Sequence, residues 1–328
     1  MRLRHRSPLA MEEPTMLRRT LVLLGLPLLL LSGAAHAQEV RVALPVLSLD
    51  SLPLFAAQER GFFAARGLKV EAIAMRGGGE AMKAFIAGDV QITATGFPEV
   101  ALMRERGVDV RLLVAQVGRV PFGLVALKEL GVTSVAQLKG RNIGVTSPGS
   151  LTHITATYVV SRQGLDPKRD VGLIAIGGTA ELIGALKAKK VEAVMAHEPV
   201  VSTALVEGIA TKVVDLIDEL DAFPTAPLVV GKALLEQNPE RARAIRDAMV
   251  EGLRFIQENR PGAVEVARKK FPGMNPRVLE AALERYYRVF SKDGTFSREN
   301  LARTQEICKE LGLIKAAYPY EELVAAPR

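Results

Sequence analysis

The chain has 328 residues, a formal net charge of +7 at pH 7, 48% hydrophobic residues and 5% aromatic residues. Its Lys and Arg residues are interspersed with acidic residues, and it has no Trp, so neither a basic arm nor an aromatic surface for stacking on bases is indicated. A nucleic-acid partner is therefore not expected. An anionic small molecule is compatible with the charge but not required by it. The single cysteine, Cys308, excludes an internal disulfide, and a chain of this length can rely on its hydrophobic core instead.

Residues 16 to 37 have the composition of a cleavable export signal. Two arginines precede an apolar run from 21 to 31, and Ala35-His36-Ala37 fits a signal-peptidase site. A membrane anchor or a core helix is the alternative. That alternative is disfavoured because the run is shorter than the roughly 20 residues that cross a bilayer and because Pro27 interrupts it. We expect the mature chain to begin at Gln38 and to work in the periplasm.

Residues 1 to 15 precede a better start at Met16 and are interpreted as an upstream extension. The first 37 residues carry five Arg and two Glu, so their removal lowers the formal charge from +7 to +4. No cysteine lies near residue 38 to accept a lipid. The mature chain is therefore expected to be released in soluble form.

From residue 38 onward, short apolar runs typical of strands alternate with segments that have apolar residues at helical spacing. This alternation predicts an α/β fold with mainly parallel sheets flanked by helices. The pattern starts again near residue 123, which predicts two similar lobes. The predicted strands are 40–44, 68–74, 90–94, 110–115, 123–127, 142–146, 171–176 and 191–196. The predicted helices are 52–65, 80–87, 151–163, 180–188 and 200–207.

The C-terminal third of the chain is predicted to form successive helices. Four segments are predicted, at 239–259, 262–271, 276–290 and 297–312. They cannot bury their apolar faces alone, so we expect them to pack on the first lobe, where 228–230 adds a strand. The predicted domains are lobe 1 (38–118 and 224–328) and lobe 2 (119–223), and the two chain crossings between them predict a hinge.

Six short segments carry a resemblance to a known family. They lie at 52–63, 67–71, 77–79, 87–92, 138–145 and 191–195, and include Ala87-Gly-Asp-Val-Gln-Ile92 and Leu138-Lys-Gly-Arg-Asn-Ile-Gly-Val145. Here the chain resembles the periplasmic solute-binding proteins of ABC importers, within the group that binds nitrate, sulfonates, taurine and thiamine-related pyrimidines. The resemblance covers roughly residues 40 to 230. It implies a type II periplasmic binding protein fold, in which two lobes close on one small molecule and deliver it to a membrane permease. It also implies a monomer without enzymatic activity, cofactor or metal.

Candidate ligand-binding residues lie where predicted strands end and helices begin, because ligands bind at such positions in α/β sheets. Hydroxyls, free backbone amides and glycines there can contact a ligand, or can simply cap a helix or form a tight turn. The candidates in the first lobe are Ser48, Leu49, Asp50, Arg76, Gly77, Gly78, Thr95, Gly96 and Phe97. Arg119 and Phe122 are further candidates near the crossing.

In the second lobe, the segment from 147 to 153 is rich in hydroxyls and backbone donors. The candidates there are Ser147, Gly149, Ser150, Leu151, Thr152, His153, Gly178, Thr179, His197 and Glu198. A Ser–His nucleophile pair is the enzymatic alternative, but the Gly-x-Ser-x-Gly motif is absent. His197-Glu198 is not expected to bind zinc, because Val201 stands where a second histidine would be needed and Pro199 would interrupt the metal-binding helix.

The ligand class stays open among a sulfonate, a carboxylate and a heterocycle. Two further functions also stay open. One is a periplasmic sensor domain that presents its ligand to a receptor. The other is an enzyme on the same fold, similar to the yeast-type pyrimidine synthase or to the menaquinone-pathway dehydratases. The export signal and the lone cysteine disfavour both enzymes, since the synthase uses a cysteine-rich segment and the dehydratases work in the cytosol.

Overall fold

The computed structural model describes residues 38–325, which form two five-stranded sheets flanked by helices. The signal peptide and upstream extension predicted for 1–37 lie outside the described residues. Within the described part, none of the helices combines the length and the apolar character needed to cross a bilayer.

The strands are β1 (Gln38–Leu44), β2 (Leu68–Ala74), β3 (Ile92–Ala94), β4 (Val110–Val114), β5 (Gly123–Leu127), β6 (Asn142–Val145), β7 (Gly172–Ala175), β8 (Ala193–Ala196), β9 (Ala210–Asp215) and β10 (Leu228–Gly231). The helices are α1 (Leu52–Glu59), α2 (Gly78–Ala87), α3 (Phe97–Glu105), α4 (Leu151–Arg162), α5 (Thr179–Lys187), α6 (Val200–Val206), α7 (Leu216–Glu219), α8 (Lys232–Gln237), α9 (Pro239–Glu258), α10 (Arg260–Lys270), α11 (Pro276–Tyr287), α12 (Arg298–Glu310) and α13 (Tyr320–Leu323).

Both sheets are mixed and have the same plan. The first has the order β2-β1-β3-β10-β4, and the second has the order β7-β6-β8-β5-β9. In each sheet one strand, β10 or β5, runs antiparallel to both of its neighbours, and the other strands share one direction. The α/β fold with two mainly parallel sheets is therefore confirmed, and the strand predicted at 228–230 lies inside the first sheet.

Some elements differ from the sequence-based prediction. Strand β9 was not predicted, although its sequence Ala-Thr-Lys-Val-Val-Asp is rich in β-branched residues, because a half-buried edge strand has a weak apolar pattern. The helix predicted over 52–65 ends at Glu59, and Gly61 follows with a φ of 74°. That left-handed conformation favours glycine and ends the helix.

The C-terminal helices α9, α10 and α11 pack with α1 in a hydrophobic core beside the first sheet. Helices α1 and α9 approach so closely that a Cβ atom at Gly252 would lie 2.4 Å from the backbone oxygen of Pro53. Tyr286 on α11 is completely buried in this core. This packing therefore places the residues of α11 near position 286 beside the loop that follows β1.

The two chain segments that connect the sheets lie side by side. Val117 forms an isolated antiparallel bridge with Thr225, and the Thr225 amide donates to the Val117 carbonyl at 3.1 Å. The side-chain amide of Gln116 donates to the Ala226 carbonyl at 2.6 Å. The two halves of the molecule are thus joined by two connecting segments that are hydrogen-bonded to each other.

Candidate ligand-binding site

A cavity of about 50 Å³ lies between the two sheets, where β1, β3, β6 and β8 end. Its walls combine small apolar side chains with hydroxyl, carboxyl and imidazole groups from both halves of the molecule. Binding sites for drug-sized ligands commonly measure about 300–1,000 Å³. The cavity is therefore much smaller than such sites, and a drug-sized molecule would fit only if the two halves moved apart.

Nine of the residues predicted from the sequence line this cavity, and they come from six separate chain segments. They are Ser48, Asp50, Gly78, Gly96, Phe122, Ser150, Leu151, Thr152 and His197. The cavity wall also contains residues that the sequence did not single out. The polar ones are Glu99, Thr146 and Thr225, and Ser51, next to the predicted Asp50, also lines the wall.

The other predicted residues lie outside this wall. Gly77 contacts Ser147 from the opposite half, since a Cβ atom at Gly77 would lie 2.8 Å from the Ser147 hydroxyl oxygen. Leu49, Thr95 and Phe97 are buried, Gly149 lies beside Leu102, and His153 and Arg119 are half-buried. The side chain of Arg76 is 75% exposed and lies 3.9 Å from Glu181. Their role in binding stays a prediction.

Gly178 and Thr179 line a second, larger groove of about 540 Å³, which also contains Leu47 and Met75 of the other half. The Thr179 hydroxyl donates to the Leu47 carbonyl at 2.7 Å, so this contact joins the two halves. The groove contains neither Asp50 nor His197, and the polar loop ends converge on the smaller cavity instead.

Asp50 is held by three hydroxyl donors from distant parts of the chain. Ser48 donates to Oδ2 at 2.8 Å, while Thr225 and Tyr286 donate to Oδ1 at 3.1 Å and 2.6 Å. These bonds fix a carboxylate, which accepts hydrogen bonds only, in the cavity wall. Ser48 was predicted from the sequence, but Thr225 and Tyr286 reach the site only through the fold.

Glu99 lies in the first turn of α3 and is buried in the same wall. Its Oε1 accepts a hydrogen bond from the backbone amide of Leu151 in the other half at 3.2 Å. Its Oε2 has no partner among residues 38–325. Burial raises the pKa of the Glu99 carboxyl to about 8, although two backbone hydrogen bonds act in the opposite direction. A Cβ atom at Gly78 would lie 1.9 Å from Oε1, so this glycine makes room for the carboxyl.

His197 follows β8 and has its two ring nitrogens in different situations. Nδ1 lies 3.1 Å from the backbone oxygen of Glu198. Because a carbonyl can only accept, Nδ1 carries the proton and Nε2 presents a lone pair. Nε2 is buried without a partner in the described part of the chain. Burial lowers the pKa of His197, although nearby Asp50 opposes this shift, so the neutral ring is favoured.

Three hydroxyls from the loop after β6 form a closed cluster. The oxygens of Thr146, Ser150 and Thr152 lie 2.9 Å from one another. Ser150 also caps α4 by accepting from the His153 amide at 3.3 Å. The hydroxyl-rich segment predicted from the sequence therefore supplies one polar wall, although much of its hydrogen bonding is internal.

Arg285 on α11 holds the chain segments beside the site in place. Its guanidinium forms an ion pair with Asp215 and donates to the Pro121 carbonyl at 3.1 Å. Its Nε lies 2.6 Å from the buried Glu198 carboxylate, in an ion pair whose N–H does not point at the oxygen. Burial raises the pKa of Glu198 even beside this arginine. The guanidinium thus ties α11 to the loops that end β8 and β9.

No Lys or Arg side chain lines the cavity among the described residues. Residues 38–325 also contain no cluster of three or more His, Cys, Asp or Glu side chains arranged to hold a metal ion. The wall therefore consists of hydrogen-bonding groups that are neutral or acidic, and these can bind and orient a small polar molecule.

Comparison with known proteins agrees with this architecture. The family model described as NMT1/THI5 like matches residues 48–263. YtlA of Bacillus subtilis (strain 168), which is named as a binding protein, is 25% identical over 318 residues, covering 94% of this chain and 95% of its own.

Two solved structures are similar over most of their length. A protein of Bordetella bronchiseptica RB50 has a TM-score of 0.76 at 27% identity, covering 89% of this chain and 93% of its own. The alkanesulfonate-binding protein SsuA of Xanthomonas axonopodis pv. citri, bound to MOPS, has a TM-score of 0.73 at 17% identity and covers 86% of this chain and 96% of its own. The second likeness concerns the fold alone. With two thirds of its length matched by the family model, the chain belongs to the NMT1/THI5-like family.

Proposed function

We propose that this protein is the solute-binding component of an ABC importer, which captures a small organic molecule between its two halves and delivers it to a membrane permease. The observation that carries the proposal is the cavity itself. Loop ends from both sheets meet around it, and it contains buried polar atoms, Glu99 Oε2 and His197 Nε2, that lack protein partners. Buried polar atoms without partners are uncommon in folded proteins, and a bound ligand would satisfy them.

The family membership and the similar solved structures support the same function. A periplasmic location follows from it, and the predicted export signal agrees. In this proposal lobe 1 comprises residues 38–118 and 224–328, lobe 2 comprises 119–223, and the paired segments around Val117 and Thr225 act as the hinge. Ligand binding shifts the population toward the closed form, which the permease recognises.

Contacts between the two halves indicate what would hold the closed form together. They include the Leu151 amide on Glu99 at 3.2 Å and the Thr179 hydroxyl on the Leu47 carbonyl at 2.7 Å. The closed form needs few such bonds, because a ligand between the two halves adds its own contacts with each half. The proposed binding residues are those that line the cavity.

Two experiments test the proposal on the chain from Gln38. Thermal unfolding is measured against sulfonates, carboxylates, pyrimidines and nitrate, since a ligand present at 100 times its Kd stabilises the folded state by about 2.7 kcal/mol. Small-angle scattering is then measured with the ligand that binds. We expect a smaller radius of gyration at saturation. A panel without any stabilising solute, or a radius that stays constant at saturation, contradicts the proposal.

A sensor domain would bind its ligand in the same way and differ only in its membrane partner. Genes for a permease and an ATPase beside this one distinguish the two functions. An enzyme on this fold would turn over the ligand, and unchanged ligand recovered after long incubation argues against it.

A further inference from the structure

The polar atoms that lack partners in the cavity indicate which chemistry its ligand has. His197 is 2% exposed, and its Nδ1–H is directed to the Glu198 carbonyl at 3.1 Å. The remaining nitrogen, Nε2, is a hydrogen-bond acceptor without a partner among the described residues. A partner must bring a donor to satisfy it, as an N–H group of a ligand does, and leaving it unsatisfied has a free-energy cost.

The N-terminus of α4 would ordinarily favour an anion, because its backbone amides and helix dipole are directed toward the cavity. Here the protein's own side chains take two of these donors. The Leu151 amide donates to Glu99 Oε1 at 3.2 Å, and the His153 amide donates to the Ser150 hydroxyl oxygen at 3.3 Å. The Glu99 carboxyl therefore occupies the place that an anionic ligand would take at this helix.

The charges of the wall also disfavour an anion. Asp50 lines the cavity with a carboxylate, the neighbouring Glu99 carboxyl adds no cation, and no lysine or arginine lines the cavity within residues 38–325. Arg76, the candidate cation from the sequence, is 75% exposed and faces Glu181. Burying an anion beside a carboxylate without a cation is unfavourable, whereas an N–H group can donate to either acidic side chain or to His197.

We propose that the cavity takes an uncharged or positively charged nitrogen compound, such as an amide, an amidine or an amino-substituted heterocycle, and that His197 Nε2 accepts a hydrogen bond from its N–H group. This inference rests on the proposed binding function and names the ligand class of the same site. This ligand class distinguishes the protein from sulfonate and nitrate binders. The fold by itself would also accommodate those anions. His197 acts as a specificity-determining residue.

The test compares probes that differ in a single group. Calorimetry on the chain from Gln38 measures binding of 2-aminopyridine and of 2-methylpyridine, in which a methyl group replaces the amino group, together with methanesulfonate and nitrate. We expect 2-aminopyridine to bind at least tenfold more tightly than each of the others. The variant His197→Phe keeps an aromatic ring beside Phe122 but removes the acceptor, and we expect it to abolish that preference. Tyr287→Phe, an aromatic substitution away from the cavity, serves as the control.

A second measurement does not depend on the variant folding. In the chain from Gln38, only His153 and His197 carry imidazoles. Their ¹⁵N signals report which ring nitrogen is protonated, and we expect 2-aminopyridine, but not 2-methylpyridine, to shift the Nε2 signal of His197. An unchanged Nε2 signal at saturation overturns the inference.

The outcomes separate the two proposals. Tighter binding of methanesulfonate or nitrate, or an amino preference that survives in His197→Phe, overturns the ligand class and leaves the binding function intact. If none of the four probes binds, the solute identified in the thermal-unfolding screen is used to test the ligand class. A solute without an N–H donor overturns the inference. If no solute binds in either experiment, both proposals fail.

Discussion

The phenolic hydroxyl of Tyr286 donates a hydrogen bond of 2.6 Å to Oδ1 of Asp50, a residue 236 positions earlier in the chain. This bond joins the C-terminal helix α11 to the loop after β1, and both groups are buried. Burial and the neighbouring Asp50 charge raise the pKa of Tyr286 well above its ordinary value, so the hydroxyl stays protonated and remains a donor. A residue of the cavity wall is therefore held in place partly by the C-terminal part of the chain.

Tyr286→Phe removes this donor and leaves the Asp50 carboxylate with two hydroxyl partners. We expect the free energy of unfolding to fall by about 1–3 kcal/mol, because a buried charged acceptor loses a hydrogen bond. Urea denaturation measures the change. The adjacent Tyr287→Phe is the matched control, since its buried hydroxyl has no partner among the described residues. Equal losses of unfolding free energy in the two variants would show that the hydrogen bond to Asp50 adds no specific stability.

Arg285→Met leaves the buried carboxylates of Glu198 and Asp215 without their guanidinium. Burial alone would raise the pKa of Asp215, but Arg285 and Lys212 outweigh it and hold that pKa below its ordinary value. Breaking such a buried ion pair typically costs about 3–5 kcal/mol, and we expect a loss of this size in denaturant titrations. Arg288→Met removes an exposed pairing with Asp218 and should cost less than about 1 kcal/mol. Comparable losses from both substitutions would contradict the supporting role of Arg285.

The pKa of about 8 for Glu99 predicts a pH dependence of stability. Between pH 6.5 and 8 the folded state keeps the Glu99 proton and the unfolded state has lost it, so the free energy of unfolding should fall as pH rises. The contribution of Glu99 over this interval is at most about 2 kcal/mol. Glu99→Gln should remove it, and this difference in slope is measured by urea denaturation at several pH values.

The comparison with Glu99→Gln separates the Glu99 contribution from those of other titrating groups near it. Asp50 and His197 share the cavity, and Cys308 is close enough for the Glu99 charge to contribute to raising its thiol pKa. Unfolded carboxyl groups titrate below pH 6.5 and an unfolded thiol mainly above pH 8, whereas an unfolded imidazole still titrates within the interval and gives a background that wild type and Glu99→Gln share. Glu105→Gln, at the exposed end of the same helix, is the control and should keep the wild-type slope. A wild-type slope in Glu99→Gln would mean that Glu99 is already ionised in the folded protein.

Gly78→Ala places a Cβ atom where Glu99 Oε1 now lies, at a separation of 1.9 Å. Because Oε1 also accepts from Leu151, the substitution should disturb closure of the two halves, cost about 1–3 kcal/mol and weaken ligand binding. Gly79→Ala is the control, since its Cβ would lie 3.6 Å from the Ser147 hydroxyl and an alanine favours the helix. Titration calorimetry with the screened ligand, alongside denaturation, tests both variants. Tight binding by Gly78→Ala would remove this loop from the site.

The sequence by itself determined the fold class, most of the elements and the loops that reach the cavity. Strand β2 (Leu68–Ala74) and strand β5 (Gly123–Leu127) have the predicted bounds, because short apolar runs bounded by turns encode them locally. His197 and Ser150 were identified because they follow strands, and parallel strands bring such positions to one edge of a sheet. Their participation in binding stays a prediction.

Only the tertiary structure decided how these loops are completed. Glu99 lies two residues after the candidate loop at 95–97, and an acidic residue just inside a helix is ordinarily interpreted as a favourable charge near the helix start. Its burial against Leu151 depends on a contact between residues 52 positions apart. Thr225, Arg285 and Tyr286 reach the site across even longer separations, which no local periodicity encodes. The charge of the cavity, acidic and without lysine or arginine among the described residues, follows from how the two halves pack, because the same sequence loops could have met around Arg76 or Arg119 instead.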